Sequence, residues 1–229
     1  LFAAKPLVFA PGSKWQYCQT GINAAARVVE VVSGKAFPEF LQERLLGPLG
    51  MADTSFYPSA AQLSRLANSY KRGEDGQLQQ SQITFLGGKS IADKSRYPLA
   101  NGGLFSTAAD YLKFAQMILR GGESGGKRFL KEETVRQMTR VQSGDLASGF
   151  IPGSAWGLGW SIVREPQGVT APLSPGTFGH GGLFGTQAWI DPVKQRIYLL
   201  LVQRSNFTNQ GGADGSELRG AFQNAAAQP

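Results

Sequence analysis

Cysteine and histidine are almost missing from this sequence: Cys18 and His180 are the only examples of each. One thiol excludes an internal disulfide, and one thiol with one imidazole excludes a cysteine-rich or histidine-built zinc site. No metal and no cofactor is therefore expected. A lone thiol suits either redox environment, so it gives no compartment. Long apolar runs are also missing. The longest, residues 197–202, has the length of a strand rather than the roughly 18 residues of a membrane span. Charged residues make up 17% of the chain, below the roughly 25% of an average soluble domain. No initiator Met precedes Leu1, and no signal peptide is visible.

What is present is enough for a core. Hydrophobic residues reach 41% and aromatics 10% of 229 residues, which excludes a disordered tail. The length fits one large domain or two small lobes. Lys and Arg number 23 against 16 Asp and Glu, a net charge of +7. These cations are scattered, the densest groups being Lys71-Arg72 and Lys127-Arg128. Neither is a basic stripe with interleaved aromatics, so no nucleic-acid partner is expected; the surplus reads as a solvated surface.

Hydrophobic spacing gives the organisation. Pro11-Gly12 reads as a turn after an extended approach. A helix is predicted over 21–33, with Ile22, Ala25, Ala26, Val29 and Val32 recurring at helical spacing and Ser33-Gly34 as the stop. A second fits 36–46, carrying Phe37, Phe40, Leu41 and Leu45. Residues 68–100 are polar and glycine-bearing, an excursion with short strands at most. Thr107-x-x-Asp110 resembles a capping box at the head of a helix whose stripe is Tyr111, Phe114, Ala115, Ile118 and Leu119. A short helix follows at 131–140. Strands are predicted over 156–163, 187–190 and 196–203, with Asp191-Pro192 as the turn between the last two, and a final helix over 214–226. Helices, then a strand meander, then a helix argue for an α+β layout, with 13–155 as a mainly helical lobe and 156–229 as the sheet and last helix.

Three places offer chemistry. His180 lies in Phe178-Gly179-His180-Gly181-Gly182-Leu183, just ahead of a predicted strand. The glycines let a ligand approach the backbone closely, where an N–H could stabilise an oxyanion; the plain alternative is a histidine in a tight turn. Tyr17 stands at the entrance of the first helix, where tyrosines usually pack. A catalytic tyrosine there needs a cationic neighbour to lower a pKa of about 10. Ser124 satisfies G-x-S-x-G within Gly122-Glu123-Ser124-Gly125-Gly126, and S-x-x-K with Lys127. The first motif requires a strand before the serine, whereas a helix is predicted there. The second requires a helix, which Gly125-Gly126 disfavours. Ser124 therefore reads as a surface turn.

Five segments in order carry a resemblance. Pro11-Gly12-Ser13-Lys14-Trp15-Gln16-Tyr17-Cys18-Gln19-Thr20-Gly21-Ile22-Asn23 looks like P-G-x-x-(x)-x-Y-S-N-x-G-x-N. Leu45-Leu46-Gly47-Pro48-Leu49-Gly50-Met51 looks like a PLGM helix end, and Gly102-Gly103-Leu104-Phe105-Ser106-Thr107-Ala108-Ala109-Asp110 like GGLFSTA-x-D. Trp156-Gly157-Leu158-Gly159-Trp160 follows. Phe178-Gly179-His180-Gly181-Gly182 looks like the GHGG version of a K-T-G strand. Together they resemble the serine β-lactamase-like superfamily, which includes class C β-lactamases, penicillin-binding D,D-peptidases and β-lactamase-fold esterases.

The resemblance implies an antiparallel sheet flanked by helices plus a mostly helical lobe, and a serine hydrolase acting through an acyl-enzyme on a small ester, amide or peptide. Residue by residue, Tyr17 would be general base or proton relay, and His180 would stand where K-T-G has its lysine. Gly181 and Gly182 would line the substrate, and the Leu183 N–H would be half of the oxyanion hole. Gln19 would take the polar substrate contact, lengthened relative to the asparagine of Y-x-N. An esterase or peptidase role is favoured, because the histidine departs from the lysine form associated with β-lactamases. Relatives are often exported, so a periplasmic or extracellular location is implied. The nucleophile helix of the family, S-x-x-K, precedes the tyrosine; Ser13 has Gln16 at the required position, so no such motif precedes Tyr17 here. The chain is therefore expected to be an N-terminally incomplete portion, inactive alone. Two alternatives stand beside this. One is a non-catalytic module binding a peptidoglycan-like ligand on the same scaffold. The other is an α/β-hydrolase using Ser124, Asp145 and His180, which lacks the strand before its serine.

Overall fold

The computed structural model describes residues 4–83, 86, 88–149, 151–205 and 216–228. The α+β class holds: six α-helices and ten short strands are found among them, the main sheet being antiparallel. Helix α1 (Gln19–Ser33) starts two residues before the predicted 21, with Cys18 as N-cap, and ends at Gly34, whose φ of 70° is the left-handed stop expected of that glycine. Its predicted inward face is only partly used. Ala26 is buried and Val29 half-buried, but Ile22 and Val32 are 45% and 82% exposed, and beside them Val28 and Val31 are 60% and 68% exposed. The predicted 36–46 helix is α2 (Phe37–Leu41), which widens into one π-helical stretch over Gln42–Leu46 before Gly47.

After α3 (Ala60–Leu63), the polar excursion holds the hairpin β1 (Ser69–Arg72) and β2 (Leu78–Ser81). Helix α4 (Ala108–Leu119) begins where the cap signal put it, with the Thr107 side chain accepting from the Asp110 N–H at 3.2 Å. The Asp110 carboxylate does not complete a capping box. It accepts from the Asp53 N–H at 2.7 Å and the Thr54 hydroxyl at 3.0 Å, fastening α4 to the end of the preceding helical region. The chain then forms hairpin β3 (Glu123–Ser124) and β4 (Lys127–Arg128) and helix α5 (Glu132–Thr139). Gly125 and Gly126 both have positive φ, 56° and 75°, the form required by a tight two-residue turn. Ser124 faces Lys127 across that hairpin rather than along a helix.

The predicted strand over 156–163 is two strands. β5 (Ser154–Trp156) and β6 (Ser161–Val163) pair antiparallel, Trp156 opposite Ser161, with the chain reversing through Gly157 and Gly159. The reversal is closed by Gly157 N–H donating to Trp160 O at 2.8 Å. β7 (Phe178–Gly181), β8 (Gln187–Asp191) and β9 (Arg196–Leu200) complete a five-stranded meander in sequence order. His180 precedes β8 as expected and itself lies in β7, a strand the spacing did not predict. The short β10 (Arg204–Ser205) pairs parallel with β1. The predicted final helix is α6 (Ser216–Ala226), and positions 214 and 215 lie outside the described residues. Among the described residues no helix is long and apolar enough to cross a membrane.

Strand alternation gives the sheet two separate cores. Ile162, Phe178 and Ile190 point to one side and pack with Ala115, Met117 and Ile118 of α4. Val163, Trp189 and Tyr198 point to the other and pack with Phe222 and Ala226 of α6. His180 is two residues from Phe178, so its side chain leaves the sheet on the α4 side. Gly179 and Gly181 face the α6 side.

Candidate active site

The segment before α1 and the strand β7 meet through aromatic contacts. The ring centroids of Tyr17 and His180 are 5.9 Å apart. Trp156, at the end of β5, joins them: it lies 5.7 Å from Tyr17, 5.2 Å from His180 edge-on, and 5.2 Å from Trp15. Trp156 is held by its backbone, its N–H donating to Ser143 Oγ and its carbonyl accepting from the Gln142 and Ser143 amides. Asn23, one turn into α1, fixes the tyrosine segment from the other side. Its Oδ1 accepts from the Ala100 N–H at 2.9 Å and its Nδ2 donates to Asn101 Oδ1 at 2.9 Å.

The His180 imidazole is set up as a neutral group. Burial pushes it below its ordinary value of about 6.5, the contact with the Gly181 carbonyl opposes this, and the Arg219 charge adds to the lowering. Nδ1 lies 2.5 Å from the Gly181 carbonyl oxygen. A carbonyl only accepts, so Nδ1 carries the proton and Nε2 keeps its lone pair. The glycines around it are required by packing. A Cβ on Gly179 would lie 2.0 Å from the Ala188 carbonyl oxygen, and one on Gly182 would lie 2.1 Å from Thr186 Oγ1.

Beyond β7 the chain turns back tightly, Gly182 N–H donating to Thr186 O at 2.7 Å and Gly185 N–H to Gly182 O at 3.1 Å. The Leu183 amide takes no part in these bonds. Arg219 of α6 braces the turn from the opposite face, its Nη2 donating to the Gly182 and Thr186 carbonyls. At the start of α1, Cys18 is exposed. Hydrogen bonds, the largest from the Gly21 N–H, draw its thiol below the ordinary range.

Tyr17, Gln19, His180, Gly181, Gly182 and Leu183 all line one open cleft of about 780 Å³. A second cavity of about 440 Å³ adjoins it, shares His180, Leu104 and Thr186, and is walled mainly by apolar side chains such as Tyr111 of α4 and Leu199 of β9. His180 stands at the junction of the two. Ser124 and Asp145 line neither. Asp145 is fully exposed and faces Arg164 at 3.7 Å, so no Ser124–Asp145–His180 triad is assembled. Trp15, Trp156 and Arg219 carry weight in the site without a local motif of their own. Trp15 stands two residues before Tyr17, whereas Trp156 is brought to it only by the fold. Arg219 reaches the site through the backbone carbonyls of Gly182 and Thr186, for which side-chain spacing gives no signal.

An antiparallel sheet between two helical layers, with a tyrosine and a strand-borne histidine over a glycine turn, defines a fold of the β-lactamase and transpeptidase type. The Beta-lactamase family model matches residues 1–220, and the chain belongs to that family. Protein Rv1367c of Mycobacterium tuberculosis is 34% identical over 211 residues, covering 88% of this chain and 51% of the relative. A putative D-alanyl-D-alanine carboxypeptidase of Escherichia coli K12 is 29% identical over 211 residues, covering 86% and 46%. Among solved structures, EstCE1, a hydrolase with promiscuous acyltransferase activity, superposes with a TM-score of 0.80 at 23% identity, over 99% of this chain and 59% of its own. Simvastatin synthase from Aspergillus terreus, as the LovD6 mutant, gives 0.78 at 24% identity, over 98% and 57%. These likenesses show the fold. The chain spans about half the length of the curated relatives it matches.

Proposed function

We propose that this chain supplies the tyrosine, histidine and oxyanion parts of an acyl-transferring serine hydrolase, and that the complete protein adds the serine and lysine of an S-x-x-K helix. The observation that carries the reading is the meeting of Tyr17, His180 and Leu183 in one cleft.

In this mechanism the serine hydroxyl attacks the carbonyl carbon of R–CO–OR′ while Tyr17 relays its proton to the neutral lysine amine. The carbonyl oxygen becomes an oxyanion held by the Leu183 N–H and the serine's own N–H. Collapse breaks the bond to R′O, which leaves as R′OH with the transferred proton. Water then attacks the acyl-serine, releases R–COOH and restores the hydroxyl. The His180 ring packs beside the Tyr17 ring and limits its position, while Gln19 makes a polar contact with the substrate and Gly181 and Gly182 let it lie close to β7. An exported location, periplasmic or extracellular, accompanies this reading.

The test is made on the full-length protein with short-chain aryl esters. Tyr17→Phe is expected to lower kcat by about 10²–10⁴-fold, with KM changed much less. Undiminished turnover would remove Tyr17 from the chemistry. Mass spectrometry after a fluorophosphonate or penicillin should find one covalent adduct on the added serine; ligand binding without an adduct would favour a binding module instead.

A further inference from the structure

We propose that the cleft takes an uncharged ester with an aliphatic or aromatic acyl group and discriminates against substrates ending in a carboxylate. The proposal rests on the acyl-transfer reading above and names its substrate class. It starts from a contrast. The sequence holds 23 cations and 16 anions, yet among the described residues no Lys, Arg, Asp or Glu lines the 780 Å³ cleft. Its polar groups are amides such as Gln16, Gln19 and Asn101, together with the Tyr17 hydroxyl and the His180 ring.

The apolar part of the lining is open rather than packed away. Leu183 and Leu158 are 66% and 55% exposed at the mouth, and Ile22 and Leu104 are exposed beside them. Trp15 and Trp156 form an aromatic wall between them and Tyr17. Single exposed leucines are ordinary, but a cluster of apolar side chains around a concave site with a few convergent polar groups is how small-molecule sites are built. A carboxylate entering such walls leaves water without meeting a cation. The Arg219 guanidinium lies on the other face of β7, with its Nη2 engaged by the Gly182 and Thr186 carbonyls. A peptide ending in a free carboxylate therefore finds no counter-ion among the described residues that line the cleft, whereas an ester with an alkyl or aryl group finds matching surface. The same property acts on the product. Hydrolysis turns a neutral ester into a carboxylic acid that ionises, and uncharged walls let the anion go.

The experiment compares two esters of equal length, ethyl hexanoate and ethyl hydrogen adipate, which differ by a terminal methyl against a terminal carboxylate. Binding to the 229-residue chain is followed by tryptophan fluorescence, since Trp15 and Trp156 line the cleft. Ethyl hexanoate is expected to bind about ten-fold tighter; equal or tighter binding of the adipate overturns the proposal. In the full-length protein the kcat/KM ratio of the two esters should show the same preference. Leu158→Lys should raise the adipate's kcat/KM about ten-fold relative to the hexanoate's, and an unchanged ratio overturns the charge argument. Equal turnover of both esters sinks this proposal and leaves the acyl-transfer reading standing. No turnover and no fluorophosphonate adduct, with the binding preference intact, sinks the acyl-transfer reading and leaves the neutral cleft standing.

Discussion

Arg219 reaches the Gly182 carbonyl from the far side of the sheet, 37 residues along the chain, with a donor–acceptor distance of 3.0 Å. The same nitrogen lies 3.2 Å from the Thr186 carbonyl, so one guanidinium ties both ends of the turn that carries the Leu183 amide. An amide that must meet an oxyanion needs that fixed direction.

Replacing Arg219 by Met should therefore act in two ways. Loss of charge-assisted bonds of about 1.5–3 kcal/mol lowers the melting temperature by several degrees. Loss of the positive charge also raises the His180 pKa, because that charge disfavours the imidazolium. His180 is the only histidine, so one Hε1 resonance in a proton NMR titration reports it. An unshifted midpoint would remove Arg219 from the electrostatics of the site. Arg219→Lys should keep the low midpoint while losing the forked grip.

Acid should weaken the fold in two windows. Asp191 is fully buried at the end of β8. Burial raises its pKa, but hydrogen bonds, led by those from the Lys194 and Ser174 N–H groups, outweigh it, and the carboxyl is held below the ordinary range. His180 is also held low. A depressed folded-state pKa means the unfolded chain binds more protons, so stability rises with pH. The His180 contribution is present above about 6.5 and the Asp191 contribution above about 3.9, and each is lost as the pH falls through its folded midpoint. Urea unfolding of the parent and Asp191→Asn across pH 3–8 should show the lower window flatten in the variant.

Two glycines should respond oppositely to alanine. Gly179→Ala drives a methyl into the Ala188 carbonyl at 2.0 Å and towards Trp189 Cα at 2.9 Å, forcing the β7–β8 pair apart at a cost of about 1–3 kcal/mol or more. Gly21 sits in the first turn of α1 with nothing within 4 Å of the new methyl. There the change should stabilise by about 0.5–1 kcal/mol. Chemical denaturation of the pair measures both signs.

Cys18 should react quickly with thiol reagents. It is exposed, and the Gly21 amide favours its thiolate. Its rate with a small disulfide reagent should level off at lower pH than that of free cysteine, and a rate profile centred at the ordinary value would contradict the hydrogen bond.

Much of this architecture could be read from residue spacing, and the places where reading failed share a cause. Thr107 and Gly34 declare helix ends because capping is local chemistry. Gly179, His180 and Gly182 stand out because glycine is rarely repeated without a packing reason. The reversal between β5 and β6 was hidden because Trp156 and Trp160 suit a strand, while what forbids one is distant. A Cβ on Gly157 would lie 2.4 Å from the Met138 carbonyl oxygen, contributed by α5. The inward face of α1 was misjudged for the opposite reason. Its spacing is helical, but only Ala26 is fully buried and Val29 is half-covered.

That helix sets how the isolated chain behaves at high concentration. Three valines in the open on a molecule carrying seven net positive charges form an adhesive patch guarded by mutual repulsion. Salt that shortens the range of that repulsion should bring copies together through their valine faces. Light scattering should therefore rise with ionic strength, and Val31→Glu with Val28→Lys should abolish the rise.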